Sequence, residues 1–247
     1  MSEEPAPASP IAAELPAWRV ERHERLPSTQ ATVRERLEAG REVDGLVVRA
    51  GEQTAGRGRR ERGWESPVGG SYQSLAVQDR WGGSLRDPAI TLHLAVSLGE
   101  SFREAGAKVS VKWPNDLYLG EGKLGGLLCE YVRGHLVVGV GINVANPAPP
   151  TGAALTGWEL AFVDDLVLAA VRAGLEVALE GAPGLAGRLE PLDHLRGRSV
   201  LVETATGLQE GAYVGVDDGG ALQLLADNGT VRVKSGTVRQ WSGRPEG

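Results

Sequence analysis

VSVKWPNDLYLGEGKLGGLLCEYVRGHLVVGVGINV, residues 109–144, decides how this chain folds. Three strand-like runs, 109–119, 123–132 and 135–144, are divided by turns at Gly120–Gly122 and Arg133–Gly134. Connections this short join antiparallel neighbours, because a parallel pair needs a crossover of a dozen or more residues. Pro114 imposes a turn after Trp113 and presents Asn115 and Asp116 at a strand entrance. The Gly-Glu-Gly turn then returns the chain so that Lys123 faces Lys112 and Asp116. Two ammonium groups and a carboxylate are thereby expected at one end of a sheet, with a hairpin of solvated charges as the plainer reading.

Outward from this meander, the residues read as helices over 28–40, 88–106 and 162–181, and as strands over 45–53 and 71–78. The fold class is α+β: a mixed or antiparallel sheet with helices packed on it, without the βαβ alternation of a Rossmann domain. After 188–195 the texture changes to short strands divided by Gly, Asp and Asn turns, the pattern of a small β-barrel. The division expected is a disordered tail over 1–17, a main domain over 18–194 and a small terminal domain over 195–243.

The chain has 247 residues, 41% hydrophobic and 23% charged, which is ordinary globular composition. No apolar run approaches a membrane span, and the Glu- and Pro-containing N-terminus is unlike a signal peptide. A single cysteine, Cys129, excludes an internal disulfide and fits a reducing cytoplasm; its strand setting marks it as a small core residue rather than a nucleophile. The four histidines are scattered and receive no role.

Against a net charge of −6, "QTAGRGRRERGWESPVGGSYQSL" (53–75) places Arg57, Arg59, Arg60 and Arg62 within six positions. Gly56 and Gly58 let backbone approach a ligand, and guanidinium forks suit phosphate oxygens. A G-x-G-x-x-G fingerprint fails at Glu61, and a P-loop ending at Lys123 fails at Leu117 and Leu124. The loop alone leaves nucleotide binding, nucleic-acid binding and a merely solvated turn all open.

"GRGRRERGWESPVGGSY", then "KWPNDLYLGEGKLGGLLCE", then "VVGVGINV" together resemble the biotin–protein ligase family, over nearly the whole chain past the tail. The resemblance implies activation of biotin by Mg²⁺-ATP to biotinyl-5′-adenylate, then transfer to a lysine of a biotin carboxyl carrier protein. It implies biotin contacts at Ser28, Thr29, Gln30, Gln53, Gly56, Arg57, Gly58, Arg59 and Lys123. ATP contacts fall to Arg57, Arg59, Arg60, Arg62, Trp64, Lys112, Asn115 and Asn143, and the catalytic set is Lys123, Arg59, Lys112 and Asp116, with no protein-held metal. It further implies an SH3-like terminal barrel and a homodimer formed by sheet edges. Ser71 and Gln73 depart from the apolar residues common there, which puts the lining of the biotin pocket in question. The short N-terminal region implies a monofunctional enzyme with no DNA partner. A lipoate–protein ligase of the same fold is the alternative.

Overall fold

The computed structural model describes residues 10–181, 184–227 and 229–242. In chain order its elements are α1 (Pro10–Glu14), β1 (Arg19–Leu26), α2 (Thr29–Glu38), β2 (Leu46–Gln53), β3 (Ser71–Gln78), α3 (Ala89–Glu104), β4 (Val109–Lys112), β5 (Asp116–Leu119), β6 (Gly122–Val132), β7 (His135–Ile142), α4 (Leu160–Leu179), α5 (Leu185–Leu189), β8 (Ser199–Thr204), β9 (Gly207–Val216), β10 (Leu222–Ala226), β11 (Gly229–Val233) and β12 (Thr237–Ser242).

Seven strands form one mixed sheet in the order β1-β2-β3-β7-β6-β5-β4. The run 109–119 is split at Trp113–Asn115 into the hairpin β4–β5, which sets Lys112 directly opposite Asp116. β5, β6 and β7 then follow as antiparallel neighbours. β1 and β2 are parallel, joined through α2. This crossover is absent from the sequence reading because β1, RVERHERL, is an edge strand in which charge hides the alternation.

Alternation along β2 divides the core between two faces. Leu46 and Val48 join Val33 and Leu37 of α2, with Ala76 and Val137 behind them. Val47 turns to the other face, where α3 and α4 pack over Leu75, Val138 and Val140. Fully buried Leu94, Leu98 and Phe102 of α3 anchor that layer, at about 1.5–3 kcal/mol per side chain. Ser71 and Gln73 point to this helical face, where Ser71 Oγ donates to Asp164 Oδ1 at 2.6 Å and Gln73 Oε1 accepts from buried Arg49 at 3.1 Å. They do not line the pocket described below, so their polarity has no bearing on it.

The second sheet has the order β11-β10-β9-β8-β12, antiparallel throughout. Among the described residues no ladder joins β11 to β12, so the barrel expected there is not closed. Its apolar face is covered from outside instead: Val200, Val202, Leu222 and Leu224 share a single core with Trp113, Leu185 and Leu195. Trp113 Nε1 donates to Gly220 O at 2.9 Å across the seam.

Order also begins earlier than Trp18. Residues 1–9 of the expected tail lie outside the described residues, but Pro10–Glu14 is helical and Leu15 is buried. Arg172 of α4 holds this segment by donating to the carbonyls of Ala12 and Pro16 at 2.7 and 3.0 Å. Among the described residues no helix is long and apolar enough to cross a membrane.

Candidate active site

On the α2 side of the large sheet lies a slot whose floor is almost without side chains. Register places Gly139 between Ser74 and Leu128, and Gly141 between Tyr72 and Gly126. These two rows are two residues, about 7 Å, apart along β7. The glycines are required by what stands above them. A Cβ at Gly139 would fall 2.6 Å from Gln30 Oε1, and one at Gly141 2.6 Å from Trp64 Nε1. At Gly126 it would meet Asp116 Oδ1 at 3.2 Å.

The Gly139 row is the neutral, polar end. Ser28 caps α2 by accepting from Ala31 N at 3.4 Å, which sets Thr29 and Gln30 in the first helical turn against the sheet. Gln53 Oε1 accepts from Thr29 N and Oγ1 at 2.8 and 3.1 Å, and Thr29 Oγ1 lies 2.8 Å from Ser74 Oγ. Gln53 Nε2 in turn donates to Ser66 Oγ at 2.8 Å. Gln30 Oε1 is buried with no hydrogen-bond partner among the described residues. A buried acceptor left so is expensive unless a ligand donates to it.

The Gly141 row is the charged end. Asp116 Oδ1 lies 2.7 Å from Lys123 Nζ and Asp116 Oδ2 lies 3.3 Å from Lys112 Nζ, the arrangement expected from the hairpin. Lys123 also sits 5.2 Å over the Trp64 ring. Lys112 is buried behind the carboxylate, its ammonium 4.5 Å from the Trp241 ring and 5.4 Å from Tyr118. Burial pushes the Lys112 pKa down, Asp116 opposes that shift, and Lys123 adds to it. His194 stacks on Tyr118 at 4.2 Å and edges Trp241; burial first, then Arg198, hold its pKa down at about 4. The ring is thus neutral near pH 7, and adds no third positive charge beside Lys112.

The arginine loop closes over this end and docks on the second sheet. Gly56 permits the closure, since a Cβ there would lie 2.3 Å from Trp64 O. Arg59 donates to Asn115 Oδ1 at 3.0 Å and to Gly236 O at 3.4 Å, and burial depresses its pKa. Arg60, in left-handed backbone (φ 55°) that costs a non-glycine residue, pairs with Glu203, which Arg239 also holds at 2.6 Å. Arg57 and Arg62 are exposed at the slot, with no side-chain partner among the described residues.

Of the residues expected at a site, Ser28, Thr29, Gln30, Gln53, Arg57, Gly58, Arg59, Arg60, Arg62, Trp64, Asn115, Asp116 and Lys123 line the slot. Lys112 and Gly56 do not, and act on it through Asp116 and the loop backbone. Asn143 lies outside it: buried, it donates to Ala153 O at 3.0 Å and accepts from Asn146 at 2.9 Å. Cys129 is half-buried rather than fully buried, and its thiol is pushed up to about 11, mainly by burial. Sequence reasoning overlooked Ser74, Leu128, Gly126, Gly139, Gly141 and Thr237. Glycines two apart in a strand-like run were the available signal for a flat face, whereas nothing in the sequence marks Thr237, which reaches the slot from β12.

Residues 23–145 match the Biotin/lipoate A/B protein ligase family. The chain is 34% identical to the "Bifunctional ligase/repressor BirA" of Escherichia coli over 208 residues, 77% of this chain and 62% of that protein, so it spans less than two thirds of that relative. It is 32% identical over 229 residues to the "Biotin--[acetyl-CoA-carboxylase] ligase" of Mycobacterium tuberculosis, covering 85% of each. A solved structure, "Biotin protein ligase from Aquifex aeolicus in complex with biotin and ATP", superposes with a TM-score of 0.76 at 28% identity, over 92% of this chain and 99% of that one.

Proposed function

We infer the function from the premise that this chain belongs to the biotin/lipoate A/B protein ligase family: it is an ATP-dependent biotin–protein ligase, acting on a lysine of a biotin carboxyl carrier protein. One observation carries the reading. A single glycine-floored slot has at one end a buried acceptor, Gln30 Oε1, unpaired among the described residues, and the Lys123–Asp116–Lys112 cluster one strand row away. That is the shape of a neutral, hydrogen-bonding head joined to a carboxylate tail.

The chemistry follows from the charges. A carboxylate oxygen of biotin attacks the α-phosphorus of ATP, forming the acyl-phosphate bond as pyrophosphate leaves. Two anions must meet, and Lys123 stands where the tail and the α-phosphate converge. Asp116 keeps Lys123 in place, and Lys112 and its aromatic surround keep Asp116 in place. A preorganised charge of this kind acts without reorganising during the reaction. Arg59, pinned by Asn115 and Gly236, and the exposed forks of Arg57 and Arg62 face the phosphates. In the second step the ε-amine of the carrier lysine attacks the acyl carbon and AMP leaves. Asp116 has both oxygens engaged by ammonium groups, so it orients that lysine rather than taking its proton.

Magnesium is read as part of the ATP substrate. Asp116 is the one carboxylate lining the slot among the described side chains, and its occupied oxygens do not fit a resident ion. We read residues 18–194 as the catalytic unit and the terminal sheet as an opened SH3-like module that holds its loop. Incubation with Mg²⁺-ATP and either biotin or lipoate, followed by pyrophosphate release and carrier acylation, tests this. Biotin-dependent turnover is expected; turnover with lipoate alone overturns it.

A further inference from the structure

Gln30 could present either end of its amide to the slot, and its surroundings choose. Its Nε2 donates to Glu130 Oε2 at 2.8 Å, and it lies 3.4 Å from Val137 O and 3.5 Å from Leu128 O. All three neighbours are acceptors, so the NH₂ group must face them. Oε1 is left over Gly139, buried and without a partner among the described residues. Of the three, only Glu130 is a side chain, and it forms the shortest contact.

Glu130 stands outside the slot. It lies opposite Val137, one row beyond Leu128 and Gly139. Its other oxygen accepts from Arg34 Nη1 at 3.0 Å, one helical turn after Gln30, and Arg34 also reaches Glu38 at 3.6 Å. The carboxylate is therefore held so that it can only accept.

We propose that Glu130 is the positioning residue that sets head-group specificity: by fixing the Gln30 amide, it makes the neutral end of the slot an obligate acceptor that requires an N–H donor, such as a cyclic urea. This rests on the reading of the slot as a biotin site. A head without such a donor leaves Oε1 unpaired in the complex and forfeits a factor of about 10–100 in binding. Glu130 does not line the slot, so its removal acts on selectivity through Gln30 and leaves the charged end intact.

The test compares pyrophosphate release with biotin and with octanoate for wild type, Glu130→Gln and the reversed pair Arg34→Glu/Glu130→Arg. The reversed pair keeps the ion pair but points donors at Gln30, turning its amide. For it, KM for biotin should rise about 10- to 100-fold with kcat within about threefold, and the preference for biotin over octanoate should fall by a similar factor. Glu130→Gln, nearly isosteric, should show the same split in smaller measure, and it decides the matter if the reversed pair does not fold. Wild type inactive with biotin overturns the functional reading together with this one. An active wild type, with folded variants of unchanged KM and preference, overturns the Glu130 assignment alone. A fall in kcat with KM unchanged does so too.

Discussion

Gly139→Ala offers a quantitative probe of the slot. The added carbon would lie 2.6 Å from Gln30 Oε1 and 3.3 Å from both Gln30 Cδ and Ser74 Oγ, where ordinary contact begins at 3.4 Å. Neither neighbour is a free chain end. Gln30 is held by Glu130 and two carbonyls, and Ser74 by Thr29. Overpacking of this kind costs about 1–3 kcal/mol; relieved by turning the Gln30 acceptor away from the head, it is lost from binding instead, about 5- to 150-fold in affinity. Titration calorimetry with biotin should show that loss. Pyrophosphate release at saturating biotin should stay within about threefold of wild type, because the Gly141 row is untouched. Gly187→Ala, with nothing within 4 Å of its new carbon, is the control and should change neither. A folded Gly139→Ala enzyme with unchanged biotin affinity, or one with intact affinity and collapsed kcat, would refute the placement of the head at this end.

Asp116→Asn strips the counter-charge from two ammonium groups. Adenylate formation should drop about 10²–10³-fold, and stability should fall by less than the roughly 3–5 kcal/mol of a fully buried pair, because Lys123 is 35% exposed; single-turnover kinetics and urea melts measure both, and unchanged adenylation counts against the cluster. Glu203→Ala frees Arg60, so trypsin cleavage within 57–62 should rise about 1.5- to 5-fold, the range of an exposed ion pair, with no rise expected if the loop is held elsewhere. Asp193 and His194 supply opposed pH terms. Burial raises the Asp193 pKa to about 6, so its native state binds the extra proton and its contribution to stability falls as pH rises from about 4 to 6. His194, depressed to about 4, is protonated first in the unfolded chain, so its contribution rises from about pH 4 to 6.5. Urea melts at pH 4.5 and 6.5 should therefore show Asp193→Asn gaining stability with pH relative to wild type, and His194→Gln losing it, by up to about 2 kcal/mol each; parallel slopes for all three would sink the assignment.

The meander was legible because glycine turns two or three residues long leave adjacent strands no choice but antiparallel pairing, and the Lys112–Asp116–Lys123 cluster follows from that geometry. β1 was not, because on an exposed edge the parallel pairing is carried by backbone hydrogen bonds and asks little of the side chains. Ser71 and Gln73 misled for a related reason. A strand's period of two tells which residues share a face but not which face meets a ligand, and only Arg49 and Asp164, distant in sequence, reveal that theirs is the helical one. Asn143 was assigned by resemblance, yet its amide is spent on Ala153 and Asn146 behind Lys123. The contributions of Thr237, Gly236 and Glu203 depend on docking between two sheets, which no local pattern encodes.

The core shared by the two sheets makes the terminal one inseparable in practice. Cutting after Leu195 would bare Trp113, Leu185 and Leu195 to water, so a truncated chain would report its own collapse rather than the role of the missing strands. The same continuity turns the terminal sheet into a remote gauge of occupancy. Ligand binding to the native chain raises its free energy of unfolding by RT ln(1 + [L]/Kd), and strands that open only when the whole core opens must register that increment. Amide exchange in β9 and β10, which contribute nothing to the slot, should therefore slow by the factor 1 + [L]/Kd and go on slowing after the site is full.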